Sequence, residues 1–518
     1  MLRLLARIGG FLPATVALTL PVVFLPIASD SYILPRAAVV ITGASLGVGL
    51  ATLVPNRPGL GPLRWPLVAA VGAAVLAFAF STSWPLSLAG SYTRYESLPV
   101  RLGYLGLLAS AVWLVRTQRH RDWLVAAFVL ATCVACIKAW LQWVYHAPFR
   151  PDGDLGNANL LAALIVMALP PAIDRVRRGS PFTWAWGGAI VVLAGGLFVT
   201  TSRSGFAGAG AACLGLLAFS VPRHLGKTVA LISSAVVGLG LALLLATPLR
   251  VLNNDPPELR LHLWGDGLRM VAARPLTGYG EDTTGLNFGH FLSQDYATLV
   301  TFDRIHAGPL DIAATQGLLG LAALGWLLFV VFRQAWRQRS ERDVAGLAAA
   351  LVGYTVWVVP NFDWAPATGA FWLLAGTLWS AAGQAPPPAA PARPHRWGGP
   401  VAIALVVAAI VSAVFPVVAD VWYFHGRAEL SIRLDPYQAQ YHWALGDGWI
   451  AQGDIRGGTT ELQRAADLGE TEPGLYVDLG DRLRQLGDMA AARRAYQRAL
   501  QVDPYYTPAS ERLAALPT

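Results

Sequence analysis

Apolar residues fill the first four-fifths of the chain in blocks separated by short polar stretches. A helix crosses a bilayer with about 17–25 mostly apolar residues. Blocks near that length lie at 11–28, 37–55, 65–80, 101–115, 123–141, 158–173, 184–200, 205–221, 228–247, 309–332, 343–360, 367–383 and 400–420. The pattern predicts an all-α, polytopic membrane helix bundle of about 12-13 spans. After Val421 the pattern changes to that of a soluble chain, and a repeat appears. Leu445-Gly446-Asp447 returns as Leu479-Gly480-Asp481, Gly453-Asp454 as Gly487-Asp488, and Gln463-Arg464-Ala465 as Gln497-Arg498-Ala499, each 34 residues on. A 34-residue period is the signature of the tetratricopeptide repeat, a helix-turn-helix unit. Residues 421–518 are therefore expected to form a soluble α-helical repeat domain, with a surface that either binds a partner protein or shelters the membrane part.

Two polar stretches interrupt the apolar pattern. A loop over about 249–308 is far longer than most connections, and loops of that length are usually lids or binding elements. The stretch 384–399 is rich in proline and reads as a semi-rigid linker. The expected order is a membrane domain over 1–383 containing the loop, the linker 384–399, a last transmembrane helix at 400–420 and the repeat domain 421–518.

Composition supports the membrane reading. Of 518 residues 55% are hydrophobic and only 14% charged, with a mean hydropathy of +0.47, against about 25% charged in soluble domains. The net charge is +8, but its carriers alternate from loop to loop. Arg3, Arg7, Arg57, Arg64, Arg116, Arg119, Arg121, Arg175, Arg177, Arg178, Arg223, Lys227, Arg333, Arg337, Arg339, Arg342, Arg393 and Arg396 fall on one side. The short loops of the other side hold only Arg36, Arg94, Arg101, Arg150 and Arg203. Basic loops stay cytoplasmic, so the N-terminus is expected inside, with His306 and everything after Asp420 outside. That distribution accounts for the basic charge, and no basic stripe interleaved with aromatics points to nucleic acid.

The N-terminal apolar run resembles a signal peptide, but the spans that follow favour an uncleaved first helix. Cys133-x-x-Cys136 lies within an expected span and lacks the βαβ context of a redox motif, which leaves small buried side chains as its reading. No HExxH, outward DxD pair or cysteine cluster with ligand spacing appears, so neither a metal nor another cofactor is expected.

The candidate chemistry gathers at the outer face. His306 stands where the long loop re-enters an apolar helix, and its near-neutral pKa suits a general base. Arg203, in Thr200-Thr201-Ser202-Arg203-Ser204-Gly205, sits between two spans with almost no loop. A charge there is costly and marks a functional site by default, with snorkelling to headgroups as the plain alternative. Arg260 and Arg269 flank the apolar stripe Leu261, Trp264, Leu268 and Val271. Arginine's planar fork suits it to phosphate. Further candidates are Arg304 beside the histidine, Lys138 near the outer end of its span, and Asn157 and Asn159 in GNANLL, where helix capping explains at least one. The glycines of Pro275-Leu276-Thr277-Gly278-Tyr279-Gly280 either form a plain turn or bring backbone amides to a phosphate.

In order, Gly156-Asn157-Ala158-Asn159, Thr201-Ser202-Arg203-Ser204-Gly205, Arg260-x-x-x-Trp264 running to Arg274-Pro275-Leu276-Thr277-Gly278-Tyr279-Gly280, and Asp303-Arg304-Ile305-His306 with Leu310, Gly317 and Gly320 resemble the O-antigen ligase and O-antigen polymerase family of polytopic membrane glycosyltransferases. The motifs occupy about 150–320; the layout with appended tetratricopeptide repeats is also similar to members of that family. The resemblance implies a GT-C-like core and transfer of a glycan from an undecaprenyl-diphosphate-linked donor to a polysaccharide, lipid or protein acceptor outside the cytoplasmic (inner) membrane of a bacterium. In the ligases this reaction inverts the anomeric centre and needs no metal. It further implies that Arg203 and Arg260 hold the diphosphate and that His306 activates the acceptor hydroxyl or assists the leaving group. The family usually has asparagine after this histidine, where this chain has Ala307. Ligase, polymerase and protein O-oligosaccharyltransferase differ in acceptor and stay open at this point. A transporter or flippase of lipid-linked sugars is the rival of another class, predicting charges along a midplane cavity; a non-catalytic membrane scaffold is a third reading.

Overall fold

The computed structural model describes residues 9–54, 58–222, 225, 228–232, 257–296, 299–383 and 397–517. Among these every regular element is helical. Each expected span falls on a helix except 228–247, most of which lies outside the described residues. Also outside them are most of the 384–399 linker, the start of the long loop before Pro257, and Arg3, Arg7, Arg57, Arg223, Lys227, Arg393 and Arg396.

Among the described residues seven helices are long and apolar enough to cross a membrane: Ile33–Leu53, Gly61–Ala79, Gln118–Val144, Ala158–Arg177, Thr183–Thr200, Gly308–Arg337 and Gly398–Phe424. Leu12–Val22, Leu98–Leu114 and Val344–Val358 are apolar but shorter. Fewer helices reach full length than the apolar blocks suggest, because apolarity does not mark where a helix stops. The 11–28 block breaks at Val23, which is extended (φ −63°, ψ 126°), just ahead of Leu25-Pro26, where the proline disfavours helix in the residue before it. The chain is a multi-pass membrane protein.

The Ala158–Arg177 helix forms the centre, with every residue from Leu160 to Ala172 buried. Around it helices approach through small residues, as in membrane bundles generally. A Cβ on Gly208 would lie 3.0 Å from the Gly353 carbonyl oxygen, and one on Gly376 would lie 2.3 Å from the Leu108 carbonyl oxygen. These contacts also set directions. In the Arg203–Ser220 helix, Gly208 faces Gly353 and Trp357 while Gly215 faces Ala349 and Val352. It therefore runs antiparallel to Val344–Val358, which puts Arg203 at the end of that helix leading into Pro360.

Beyond Phe424 the chain forms two helical hairpins, Ala439–Ala451 with Ile455–Leu468 and Pro473–Gln485 with Met489–Val502. Equivalent helices begin 34 residues apart, and the caps repeat with them: Asp454 accepts the Gly457 amide and Asp488 the Ala491 amide, both at 2.8 Å. Gly446 and Gly480 recur where paired helices touch; added Cβ atoms would meet Leu462 at 3.1 Å and the Tyr496 ring at 2.4 Å. The hairpins pack on two short helices, Trp84–Ala89 and Thr284–Asn287. Leu86 and Leu286 join the core of Tyr476, Val477 and Tyr496. At the junction, Asp420 accepts the Asp30 amide at 2.8 Å and the hydroxyls of Tyr92 and Tyr441 at 2.7 and 3.2 Å.

Candidate active site

His306 lies two residues before the Gly308–Arg337 helix, in a left-handed conformation (φ 57°) that is uncommon outside glycine. Such a conformation persists where the surroundings over-determine it, and here each residue leading to the histidine is tied down. Asp303 is paired with Arg94, whose Nη2 donates to Oδ1 at 3.0 Å. Arg304 is buried and paired with Asp282, which also accepts the Ser91 amide at 2.6 Å. Ile305 donates its amide to Asp311 Oδ1 at 2.9 Å. The His306 carbonyl accepts from Trp264 Nε1 at 3.1 Å. Its imidazole meets two phenylalanine rings edge to face, Phe362 at 5.2 Å and Phe302 at 6.3 Å between centroids.

Trp264 belongs to the Pro257–Ala273 helix, which brings Arg260 to the same place. Arg260 donates to the carbonyl of Pro360, in the loop that also supplies Phe362. Since the antiparallel packing puts Arg203 at the end of Val344–Val358 leading to Pro360, Arg203, Arg260 and His306 share one end of the bundle. Arg203 is the first residue of its helix, after Ser202, whose Oγ caps it by accepting the Gly205 amide at 3.1 Å. The Ser202 hydroxyl donates to Asn159 Oδ1 at 2.8 Å, and Arg150 Nη2 reaches the same oxygen at 3.2 Å. Asn159 thus ties the start of the Ala158–Arg177 helix to the start of Arg203–Ser220.

The other candidates are placed differently. Asn157 is a helix cap, accepting the Asn159 amide at 2.8 Å. Arg269 pairs with Asp266 and donates to the Phe291 carbonyl at 2.8 Å. Lys138 pairs with Asp154 and lies 5.3 Å from the Phe24 ring centre. The Pro275–Gly280 segment is a docked turn: Tyr279 and Gly280 give their amides to the carbonyls of Ala314 and Thr315 at 2.8 and 2.9 Å. Those two amides are thereby engaged within the protein and do not form a phosphate cradle.

Beneath the histidine lies a buried charge network that the sequence does not announce. Arg101 bonds Asp363 at 2.7 Å and approaches Glu281 at 3.4 Å, while Gln316 donates to Glu281 at 2.7 Å. Tyr104 donates its hydroxyl to Glu96 at 2.6 Å. Glu96, Arg101, Glu281 and Asp363 line, with Arg304 and Asp311, a cavity of about 20 Å³, room for about one water. Burial pushes the Glu96 carboxyl up to about 8 despite the nearby Arg101, and it raises Glu281 as well. Burial would also raise Asp303, but Arg94 and Arg304 outweigh it and hold that carboxyl at about 2. Among the described residues no group of three His, Cys, Asp or Glu side chains is arranged to hold a metal ion.

Arg94, Asp311 and the loop Pro360–Trp364 therefore belong to the site although the motifs do not include them. Asp311 carries a signal that marks it in retrospect, an acid inside an apolar span. Phe362 carries none.

The arrangement can hold a ring nitrogen in a fixed, partly apolar slot beside arginines at one end of a membrane bundle. No curated protein matches the chain. Residues 188–325, which include Arg203, Arg260 and His306, match the family model of O-antigen ligase, and over that segment this multi-pass membrane protein is similar to the O-antigen ligases, which supports a function in glycan transfer.

Proposed function

We propose that the protein transfers a glycan from an undecaprenyl-diphosphate-linked donor to an acceptor at the outer face of the cytoplasmic membrane, without a metal and with inversion. The N-terminus lies in the cytoplasm and the C-terminal hairpins, read as tetratricopeptide repeats, lie outside. Arg203 and Arg260 hold the diphosphate, and His306 takes the proton of the acceptor hydroxyl as the glycosidic bond to the diphosphate breaks. The observation that carries this reading is the meeting of His306, Arg260 and the Pro360–Trp364 loop at the end of the bundle where Arg203 opens its helix. A general base must reach the proton that it removes, and cations at the leaving diphosphate stabilise the charge that develops there. Arg304, Arg269 and Lys138 each sit against a carboxylate, so in this reading they support the site rather than hold the donor.

The test is glycan transfer by purified protein in liposomes containing a lipid-diphosphate oligosaccharide, in EDTA. Wild type should turn over while His306→Ala loses activity, and Arg203→Ala and Arg260→Ala should bind the donor poorly. Equal turnover by His306→Ala would remove the histidine from the reaction. Movement of the donor across the bilayer without transfer would identify a transporter instead. The hairpins favour a protein acceptor as a second reading, because stacked helix pairs present an extended surface suited to polypeptide; a panel of protein, lipid and polysaccharide acceptors separates the cases.

A further inference from the structure

The sequence motifs end near residue 320, yet the imidazole of His306 rests against a residue from far beyond them. Phe362 packs on it edge to face at 5.2 Å. The Phe362 ring is held in turn: the Arg94 guanidinium lies 5.1 Å from its centre and 4.6 Å from that of Trp364, and Trp364 packs on Phe362 at 5.5 Å. Arg94 is also the partner of Asp303, three residues before His306. The contacts form a closed circuit. From His306 it passes to Phe362, from Phe362 to Arg94, from Arg94 to Asp303, and along the chain back to His306. Three separate segments of the protein contribute to it, residues 91–97, 302–307 and 360–364.

Such a circuit has a mechanical consequence. The left-handed backbone at His306 (φ 57°) directs the side chain from a loop, not from a rigid helix. A ring against one side of the imidazole limits the directions in which it can turn, and Phe302 limits it from another. A cation over an aromatic face is attracted to the ring, which favours one Phe362 orientation. We propose that Phe362 is a positioning residue for His306 and that Arg94 is the clasp that fixes both Phe362 and the loop carrying the histidine. This inference rests on the reading of His306 as the base, and it assigns the Pro360–Trp364 loop a role in rate instead of substrate binding.

The experiment measures kcat and KM for the lipid-diphosphate donor in the liposome assay with Phe362→Ala, Phe362→Leu, Phe362→Tyr and Arg94→Gln, each also combined with His306→Gln. Misplacing a reacting group by about 1 Å costs up to about a hundredfold in rate. Phe362→Ala should therefore lower kcat about tenfold or more while the donor KM stays within about twofold. Phe362→Tyr keeps the ring and should restore most of the rate. In the His306→Gln background, Phe362→Ala should add no further loss, because the group that it positions is gone. Arg94→Gln combined with Phe362→Ala should lose less than the product of the two single losses, because Phe362 is one of the two routes by which Arg94 reaches His306, a comparison that needs no residual activity from His306→Gln. If Phe362→Ala does not fold, Phe362→Leu and Arg94→Gln carry the same comparisons. Losses that multiply in the combined variants would overturn the proposal, as would a donor KM that rises with kcat unchanged, since Phe362 would then touch substrate. Wild-type turnover by His306→Gln would instead sink the reading of His306 as the base, a result visible without any change at Phe362.

Discussion

Asp311 accepts the backbone amide of Ile305 at 2.9 Å, so a carboxylate in the first turn of an apolar helix fixes the residue immediately before His306. The same side chain lies beside Arg304 in the small buried cavity. A hydrogen bond contributes about 0.5–1.5 kcal/mol net, and here it also sets the direction of the loop. Asp311→Ala is expected to lower the thermal midpoint and to cut glycan transfer about tenfold, since the histidine loses its placement. Asp311→Asn keeps an acceptor oxygen and should recover most of the rate. Wild-type transfer by Asp311→Ala in the liposome assay would show that the loop holds without it.

Arg101 makes the second prediction. Its side chain is 7% exposed and faces Asp363 and Glu281, which are 14% and 1% exposed. Removing one partner of a buried pair leaves a charge stranded and costs about 3–5 kcal/mol. Arg101→Met should therefore destabilise the protein strongly in thermal denaturation of the nanodisc-embedded chain. Adding Glu281→Gln and Asp363→Asn to Arg101→Met should return much of the loss. A midpoint for Arg101→Met within a degree of wild type would mean that solvent reaches these carboxylates.

Gly317 interrupts the Gly308–Arg337 helix at φ 69°, ψ −176°, a backbone conformation open to glycine and few others. The break lets Leu318 donate its amide to the Pro275 carbonyl at 2.7 Å, so the helix itself receives the Pro275–Gly280 turn. A Cβ at Gly317 would stand 2.0 Å from the Leu276 carbonyl oxygen. Gly317→Ala is thus expected to cost about 1–3 kcal/mol from backbone strain alone, with more from the collision. Gly325, eight residues on in the same helix, has nothing within 4 Å of where its Cβ would be. There alanine should be neutral or stabilise by up to about 1 kcal/mol. Opposite signs for the two substitutions in thermal denaturation would bear out the account, and equal signs would sink it.

These residues mark what the sequence holds and what it does not. Apolar blocks locate the helices because burial in lipid is a property of composition over a window, and the 34-residue repeat locates the hairpins because each unit reuses the same caps, Asp454 and Asp488. His306 and Arg203 stand out because a charged or titratable side chain at an apolar boundary is costly. Pairings are another matter. Arg94 meets Asp303 across 209 residues and Arg101 meets Asp363 across 262, and nothing local in either segment specifies the partner. For the same reason the glycines of Pro275–Gly280 suggest a phosphate cradle, whereas the amides of Tyr279 and Gly280 are taken by the carbonyls of Ala314 and Thr315. Phe362 was illegible for a simpler reason: one more aromatic residue beside an apolar span carries no mark of what it touches.

The carboxyl groups around the site respond to pH in opposite directions. Glu96, in the loop before the Leu98–Leu114 helix, is raised from its ordinary 4.5 to about 8 by burial, against the pull of Arg101. A raised carboxyl favours the folded state while protonated, so its contribution is complete below about pH 4.5 and is lost as pH climbs to about 8. Asp303 has the opposite sign. Burial raises it, but Arg94 and Arg304 overcome that and bring it from 3.8 to about 2, so its contribution is present above about pH 4 and is lost as pH falls toward 2. Glu96→Gln replaces the protonated form with a neutral amide that the Tyr104 hydroxyl can still donate to. Thermal midpoints of wild type and Glu96→Gln should therefore run together near pH 4.5 and separate upward, with wild type falling more steeply toward pH 8. Glu470 is buried and raised to about 7, but it is present in both proteins and cancels in the difference. Asp303→Asn should leave that difference unchanged and flatten the curve only at the acid end. Parallel curves from pH 4.5 to 8 would mean that Glu96 is already ionised at neutral pH, and that its partner is the Arg101 guanidinium instead of a retained proton.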